Sequence, residues 1–278
     1  VLAGVSMNVV LAIVAFYLFL GLSGFKVLLP RLADYQFKSP NKTFVVVTYV
    51  QKNSPAEQVG LVPGDVLTNF NKLSDFQNFV KIQAGNEIKL KITDSTLSKN
   101  REVTIVPRKN PPVGQGPLGV GIDEAVILDY QTSNQKLTSG LSYTADMFIY
   151  NFKVIGSFIG QAKKSGNIEP LSDNVSGPVG IASAVGSILD LGGSQAFIQM
   201  LNLLGILSLS LAFMNVLPFP ALDGGRFAFL FVEAITGKKL PAKIENIINQ
   251  IGMGILLLLI VLVSFNDVAK LVGPLLHH

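Results

Sequence analysis

Cysteine and tryptophan are absent from this 278-residue chain, and histidine occurs only as His277 and His278 at its end. Without cysteine there can be no disulfide and no thiolate-held metal. Without tryptophan, any aromatic belt at a membrane interface must be built from Tyr and Phe. Charge is scarce too: Asp, Glu, Lys and Arg make up 14% of the residues, against roughly a quarter in ordinary soluble domains. The mean hydropathy is +0.47. Together these point to a membrane protein. The net charge of +4 comes from scattered cations not interleaved with aromatics, which argues against a nucleic-acid partner. The two histidines read as terminal residues rather than as a site.

Long uncharged runs are what the chain has instead. No charge occurs from Val1 through Phe25, from Leu191 through Leu222, or from Asn246 through Asn266. Each is long enough to cross a bilayer, for which about 20 apolar residues suffice. Backbone groups in hydrocarbon must be satisfied within the segment, so all three are expected to be spanning helices. The stretch between the second and third runs carries Arg226, Lys238, Lys239 and Lys243. The positive-inside tendency places it in the cytoplasm and the long segment after the first run outside. Lys26 and Arg31, just past the first run, pull weakly the other way.

That long segment changes character. Phe44–Val50 is β-branched, and Glu87–Thr93 sets Ile88, Leu90 and Ile92 against Lys89 and Lys91, the alternation of a half-buried strand. Glu102–Val106 reads as another strand. Ser54-Pro55 and Val62-Pro63-Gly64-Asp65 are turn signals. Ser74–Gln83 reads as a short helix, with Ser74 as N-cap and Phe76, Phe79, Val80 and Ile82 apolar. This is a small mixed α/β domain. Further on, Phe148, Phe152, Ile155 and Ile159 recur at helical spacing, interrupted by polar residues. That pattern suits an amphipathic helix on the membrane surface better than a crossing one. Asp173–Pro178 is loop-like.

The segment Asn215-Val216-Leu217-Pro218-Phe219-Pro220-Ala221-Leu222-Asp223-Gly224-Gly225 carries the chemistry. Pro218 and Pro220 cannot sit in a regular helix, and each pushes its predecessor towards extended geometry. Irregular backbone at membrane depth is tolerated only where it is buried or lines a cavity. A carboxylate there is usually paired, metal-bound or facing water. The plain alternative is a helix end followed by a tight Asp-Gly turn.

The same segment resembles the third-helix motif of site-2 proteases, the intramembrane zinc metalloproteases. The resemblance extends over nearly the whole chain. Ala3-Gly4-Val5-Ser6-Met7-Asn8 is similar to the family's second-helix motif, with Val5 where a proline is usual. Ser176-Gly177-Pro178-Val179-Gly180-Ile181 and Phe265-Asn266-Asp267 also match. Ser54–Leu67 resembles the signature of a protease-associated PDZ domain, a module that binds extended peptides by adding a strand to a sheet edge. Gly119-Val120-Gly121-Ile122 is a candidate carboxylate loop, or equally a plain strand end.

The resemblance implies a polytopic α-helical membrane protein with three spanning helices, an inserted PDZ-like domain and a surface helix. The expected divisions are a spanning helix in 1–29, the PDZ-like domain in 37–123, the amphipathic helix in 141–163, a loop and spanning helix in 176–224, a cytoplasmic loop in 225–243 and the last span in 244–272. It implies Asp223 as a Zn²⁺ ligand and Asn215, Pro218 and Pro220 at the substrate. Asn8, Leu222, Gly224 and Gly225 take structural places in the motifs. It also implies a bacterial inner membrane, transmembrane protein substrates of the anti-sigma-factor or signal-peptide-remnant class, and a peptide partner at an extracytoplasmic PDZ groove.

The family's zinc site further requires His-Glu-x-x-His on a first helix, with the Glu as general base. No such motif is present, and Glu169, Glu233 and Glu245 have no neighbours that would let one substitute. Val1 opens the sequence without Met or a basic leader, so the expectation is a fragment of an enzyme whose first helix is missing. A non-catalytic PDZ-bearing adaptor, or a degenerate homologue that binds substrates without cutting them, is the rival reading, and a transporter built on a discontinuous helix a third.

Overall fold

The computed structural model describes residues 2–32, 35–166, 176–237 and 241–276. The chain folds as two units, residues 20–142 and residues 1–19 with 143–278. Helix α1, Leu2–Leu22, begins in the second of these.

The unit of residues 20–142 is built on an antiparallel sheet. Its strands are β1 (Lys26–Pro30), β2 (Asn41–Val50), β3 (Val66–Leu67), β4 (Ile88–Thr93), β5 (Asn100–Ile105) and β6 (Val120–Asp129). They lie in the order β1-β6-β2-β3-β4-β5. Helices α2 (Pro55–Gln58) and α3 (Leu73–Ile82) complete it. On β4, Ile88, Leu90 and Ile92 are buried while Lys89 and Lys91 are exposed, the period of two that a strand imposes. Those three pack with Val45, Leu67, Phe76, Val80, Ile105 and Leu118.

Two local expectations are corrected. The N-cap of α3 is Lys72, not Ser74, which lies inside the helix and donates to the Asp75 carboxylate at 3.3 Å. The first free amide, that of Leu73, is satisfied instead by the Glu124 carboxylate of β6 at 2.9 Å, so the cap comes from across the sheet. Ile82 is 77% exposed and adds nothing to the core, because the buried side of α3 is set by Phe76 and Val80.

Turn residues behave as their chemistry predicts. Ser54 accepts from the Glu57 amide at 3.2 Å as N-cap of α2, with Pro55 in its first turn. Asp65 is 2% exposed, accepting from the Val62 amide at 2.9 Å and from Arg101 at 2.6 Å. Gly119 has φ +71°, and a Cβ there would fall 2.4 Å from that of Ser54. The sheet extends beyond 37–123 at both ends, since β1 pairs with the second half of β6, from Lys26 opposite Asp129 to Pro30 opposite Ala125.

Helix α4, Ser133–Ser165, is longer than the amphipathic stretch that predicts it. Tyr143, Met147 and Tyr150 are buried in the helical unit, while Phe152, Ile155 and Ile159 are exposed. The Tyr143 ring stands edge-on to Phe16 of α1 at 4.8 Å. The other described helices of that unit are α5 (Pro178–Asp190), α6 (Gly193–Val216), α7 (Asp223–Thr236) and α8 (Ala242–Leu276). Asp223–Thr236 lies largely in the stretch read as a cytoplasmic loop and is helical, with an amphipathic pattern ended by Gly237 at φ +68°.

Among the described residues, three helices have the length and apolarity to span a membrane, over Ala3–Leu22, Gly193–Val216 and Lys243–Lys270. α1 and α6 meet where a small residue lets them close: a Cβ on Gly205 would sit 2.5 Å from the Phe16 ring. Phe152 of α4 stands edge-on to Phe213 of α6 at 4.2 Å.

Candidate active site

Helix α6 ends at Val216, and six residues, Leu217–Leu222, are non-helical before α7 starts at Asp223. Pro218 and Pro220 cause the break. Leu217, preceding the first of them, is extended at φ −61° and ψ 137°. The loop closes on itself through the Phe219 amide to Leu217 O at 2.7 Å and the Leu222 amide to Phe219 O at 3.2 Å. Ala221 has φ +75°, a left-handed conformation that costs a non-glycine residue of order 1–3 kcal/mol and persists only when its surroundings impose it.

Gly224 and Gly225 are buried because no side chain fits. A Cβ on Gly224 would lie 2.2 Å from Leu217 O, and one on Gly225 2.3 Å from Phe219 O. The first turn of α7 thus lies directly on the loop backbone. Asp223 is held where that turn begins. A carboxylate in a helix's first turn interacts favourably with the helix dipole, by about 0.3–1 kcal/mol. Among the described residues it accepts no hydrogen bond and forms no ion pair.

Two other helices reach this place. A Cβ on Gly4 of α1 would be 3.5 Å from Asp223 Oδ2. Asn8 lies one turn further along the same face of α1. From α8, the Asn249 side chain accepts the Ala221 amide hydrogen at 3.1 Å. Gly252, three residues on, lies so close to Pro220 that a Cβ would be 2.7 Å from its carbonyl oxygen. Asn215 is half-buried in the last turn of α6; Pro218 is exposed and Pro220 half-buried.

The structure therefore brings Gly4, Asp223, Gly224, Gly225, Pro220 and Asn249 together. Sequence reading missed Gly4's proximity and Asn249 altogether. The available signal for Asn249 was a polar residue with a glycine three positions on in an apolar helix. The described residues, Glu233 and Glu245 among them, contain no group of three His, Cys, Asp or Glu able to hold a metal. Glu169, His277 and His278 lie outside the described residues.

The model of peptidase family M50 matches residues 1–259. The chain belongs to family M50, the site-2 proteases. Among its relatives, a regulator of sigma E protease from Haemophilus influenzae is 29% identical over 240 residues, which is 83% of this chain and 51% of that protein. The zinc metalloprotease RasP of Oceanobacillus iheyensis is 30% identical over 97% of this chain and 58% of its own length. RasP of Shouchella clausii is 32% identical over 79% and 50% respectively. This M50 chain thus spans about half the length of these relatives.

Two of these relatives are named as zinc enzymes, so the fit to zinc can be tested on the residues present. Asp223 suits one oxygen ligand: it sits beside a broken helix without a cationic or hydrogen-bonding partner among the described residues. The described residues supply no second and third donor beside it, and a zinc site takes at least three protein ligands. As an M50 member with three membrane-length apolar helices, the chain is a membrane protein.

Proposed function

We propose that these residues form the Asp223 side of a membrane-embedded zinc endopeptidase, whose remaining ligands and general base lie on a His-Glu-x-x-His helix elsewhere in the whole protein. The observation that carries this is the Asp223 carboxylate, without a partner among the described residues and fixed at a helix break by Gly224 and Gly225. Zinc, when bound, supplies an activated water and polarises the peptide carbonyl. Everything else falls to the chain. Asp223 contributes one oxygen ligand from the first turn of α7. The non-helical backbone around Pro218 and Pro220, with Asn215 beside it, is where a substrate helix unwinds to expose an amide.

The substrates in this reading are single-span membrane proteins of the anti-sigma-factor or signal-peptide-remnant class. α4 lies along the membrane surface. The sheet unit is PDZ-like and extracytoplasmic, in a bacterial inner membrane with the α7–α8 side cytoplasmic. Its available edge is the first half of β6: β1 covers Ala125–Asp129, and among the described residues no strand covers Val120–Asp123 on that side. An extended peptide adds there as a further strand.

The test is Asp223→Asn in the full-length protein, assayed by cleavage of a single-span model substrate in membranes. Cleavage is expected to fall to background with expression and thermal stability retained. Undiminished cleavage overturns the assignment, and a wild-type protein that cleaves nothing would favour the non-catalytic adaptor.

A further inference from the structure

We propose that Asn249 is a positioning residue for Asp223, acting through the loop between α6 and α7; this rests on the zinc-protease reading of Asp223. Three observations converge on it. Asn249 Oδ1 accepts the Ala221 amide hydrogen at 3.1 Å. Ala221 is held at φ +75°, which an alanine does not adopt unaided. Gly252, on the same face of α8, has no room for a Cβ against Pro220, which would lie 2.7 Å away. The last spanning helix therefore grips two consecutive loop residues, one by a hydrogen bond and one by close contact.

The physical need is plain. Pro218 and Pro220 break the helix and free backbone donors at the end of a membrane span. Such donors must find a partner in the protein, because hydrocarbon offers none. Asn249 supplies the acceptor for Ala221. Only Leu222 separates Ala221 from Asp223, so a loop released at Ala221 also releases the start of α7. Asn249 bonds the loop backbone at Ala221, so its proposed action is on the geometry of the loop.

The experiment uses the full-length protein in membranes. This chain has no native cysteine, so Ala221→Cys provides a single maleimide target within it once any cysteine elsewhere is replaced. Asn249→Ala is expected to speed labelling of that cysteine about fivefold, the factor that loss of one hydrogen bond allows. It should also slow cleavage of the model substrate by at least about tenfold, as a misplaced catalytic group does. Asn249→Asp keeps an acceptor oxygen in the same position and is expected to recover most of both effects. Unchanged labelling in Asn249→Ala overturns the proposal, as does an Asp variant no better than Ala. If the Ala variant does not fold, oxidative cross-linking of Ala221→Cys with Asn249→Cys decides, and failure to cross-link is contrary. Should Asp223→Asn cleave normally, the zinc reading falls while the labelling result still judges Asn249.

Discussion

The Asp267 carboxylate accepts the amide hydrogen of Gly180 at 2.7 Å, and the same oxygen accepts that of Gly177 at 2.9 Å. Gly177 is the N-cap of α5 and has no side chain with which to cap it. α8 provides the cap from across the unit, with Asp267 only 4% exposed. Asp267 and Asn249 lie on one face of α8, five turns apart, which is about 27 Å and close to the thickness of a bilayer's hydrocarbon core. One helix thus pins α5 near one end and the Asp223 loop near the other.

Asp267→Ala is expected to destabilise the seat of α5 by about 1–3 kcal/mol, the cost of leaving buried amides unpaired. Hydrogen exchange at Gly177 and Gly180 should quicken accordingly. Asp267→Asn, which keeps one acceptor oxygen, should do less. Unaltered exchange in the alanine variant would show that the cap is energetically idle.

Gly224→Ala should be far more damaging than its chemistry suggests. The added methyl would meet Leu217 O at 2.2 Å, and backbone cannot swing aside as a side chain can. A loss of about 1–3 kcal/mol is expected from the overpacking alone, together with loss of substrate cleavage. Gly254→Ala is the control, because no described residue lies within 4 Å of its Cβ position. Thermal unfolding in detergent compares the two.

In the sheet unit, Arg101→Leu should expose how far Asp65 depends on its partner. Asp65 is 2% exposed and would keep, among the described residues, only the Val62 amide. Removing one side of a buried pair commonly costs 3–5 kcal/mol. Arg101 is 44% exposed, so solvent screening reduces the expectation to about 1–2 kcal/mol. Hydrogen exchange across β4 and β5 provides the measurement.

Asp94 gives a pH dependence. Partial burial alone would raise its carboxyl pKa, but hydrogen bonds from the Lys99 amide at 3.0 Å, the Thr96 hydroxyl at 2.7 Å and the Ser98 amide at 2.9 Å outweigh it. The folded value therefore lies below the ordinary 3.8. The turn's contribution to stability is then present above that ordinary value and lost as pH falls through the folded one. An NMR titration should place the Asp94 midpoint below 3.8, and Asp94→Asn should remove its share of the acid destabilisation. A midpoint at or above the ordinary value would contradict this.

The sequence by itself determined what depends on neighbours along the chain. Uncharged runs of membrane length marked α1, α6 and α8; alternation marked β4; two prolines two residues apart fixed where α6 must stop. Family motifs singled out Asp223 and the Gly224-Gly225 pair. Local pattern could not say which distant group satisfies which. Ser74 looked like the cap of α3 because capping usually comes from nearby, yet Glu124 performs it from strand β6. Ser176–Ile181 and Phe265–Asp267 were two separate motifs until Asp267 was seen to accept the Gly177 and Gly180 amides. Asn249 carried no local signal strong enough to choose it, since one amide in an apolar helix can face anywhere. Only the tertiary structure placed it against Ala221, because a broken helix leaves backbone donors that must be met by whatever packs beside them.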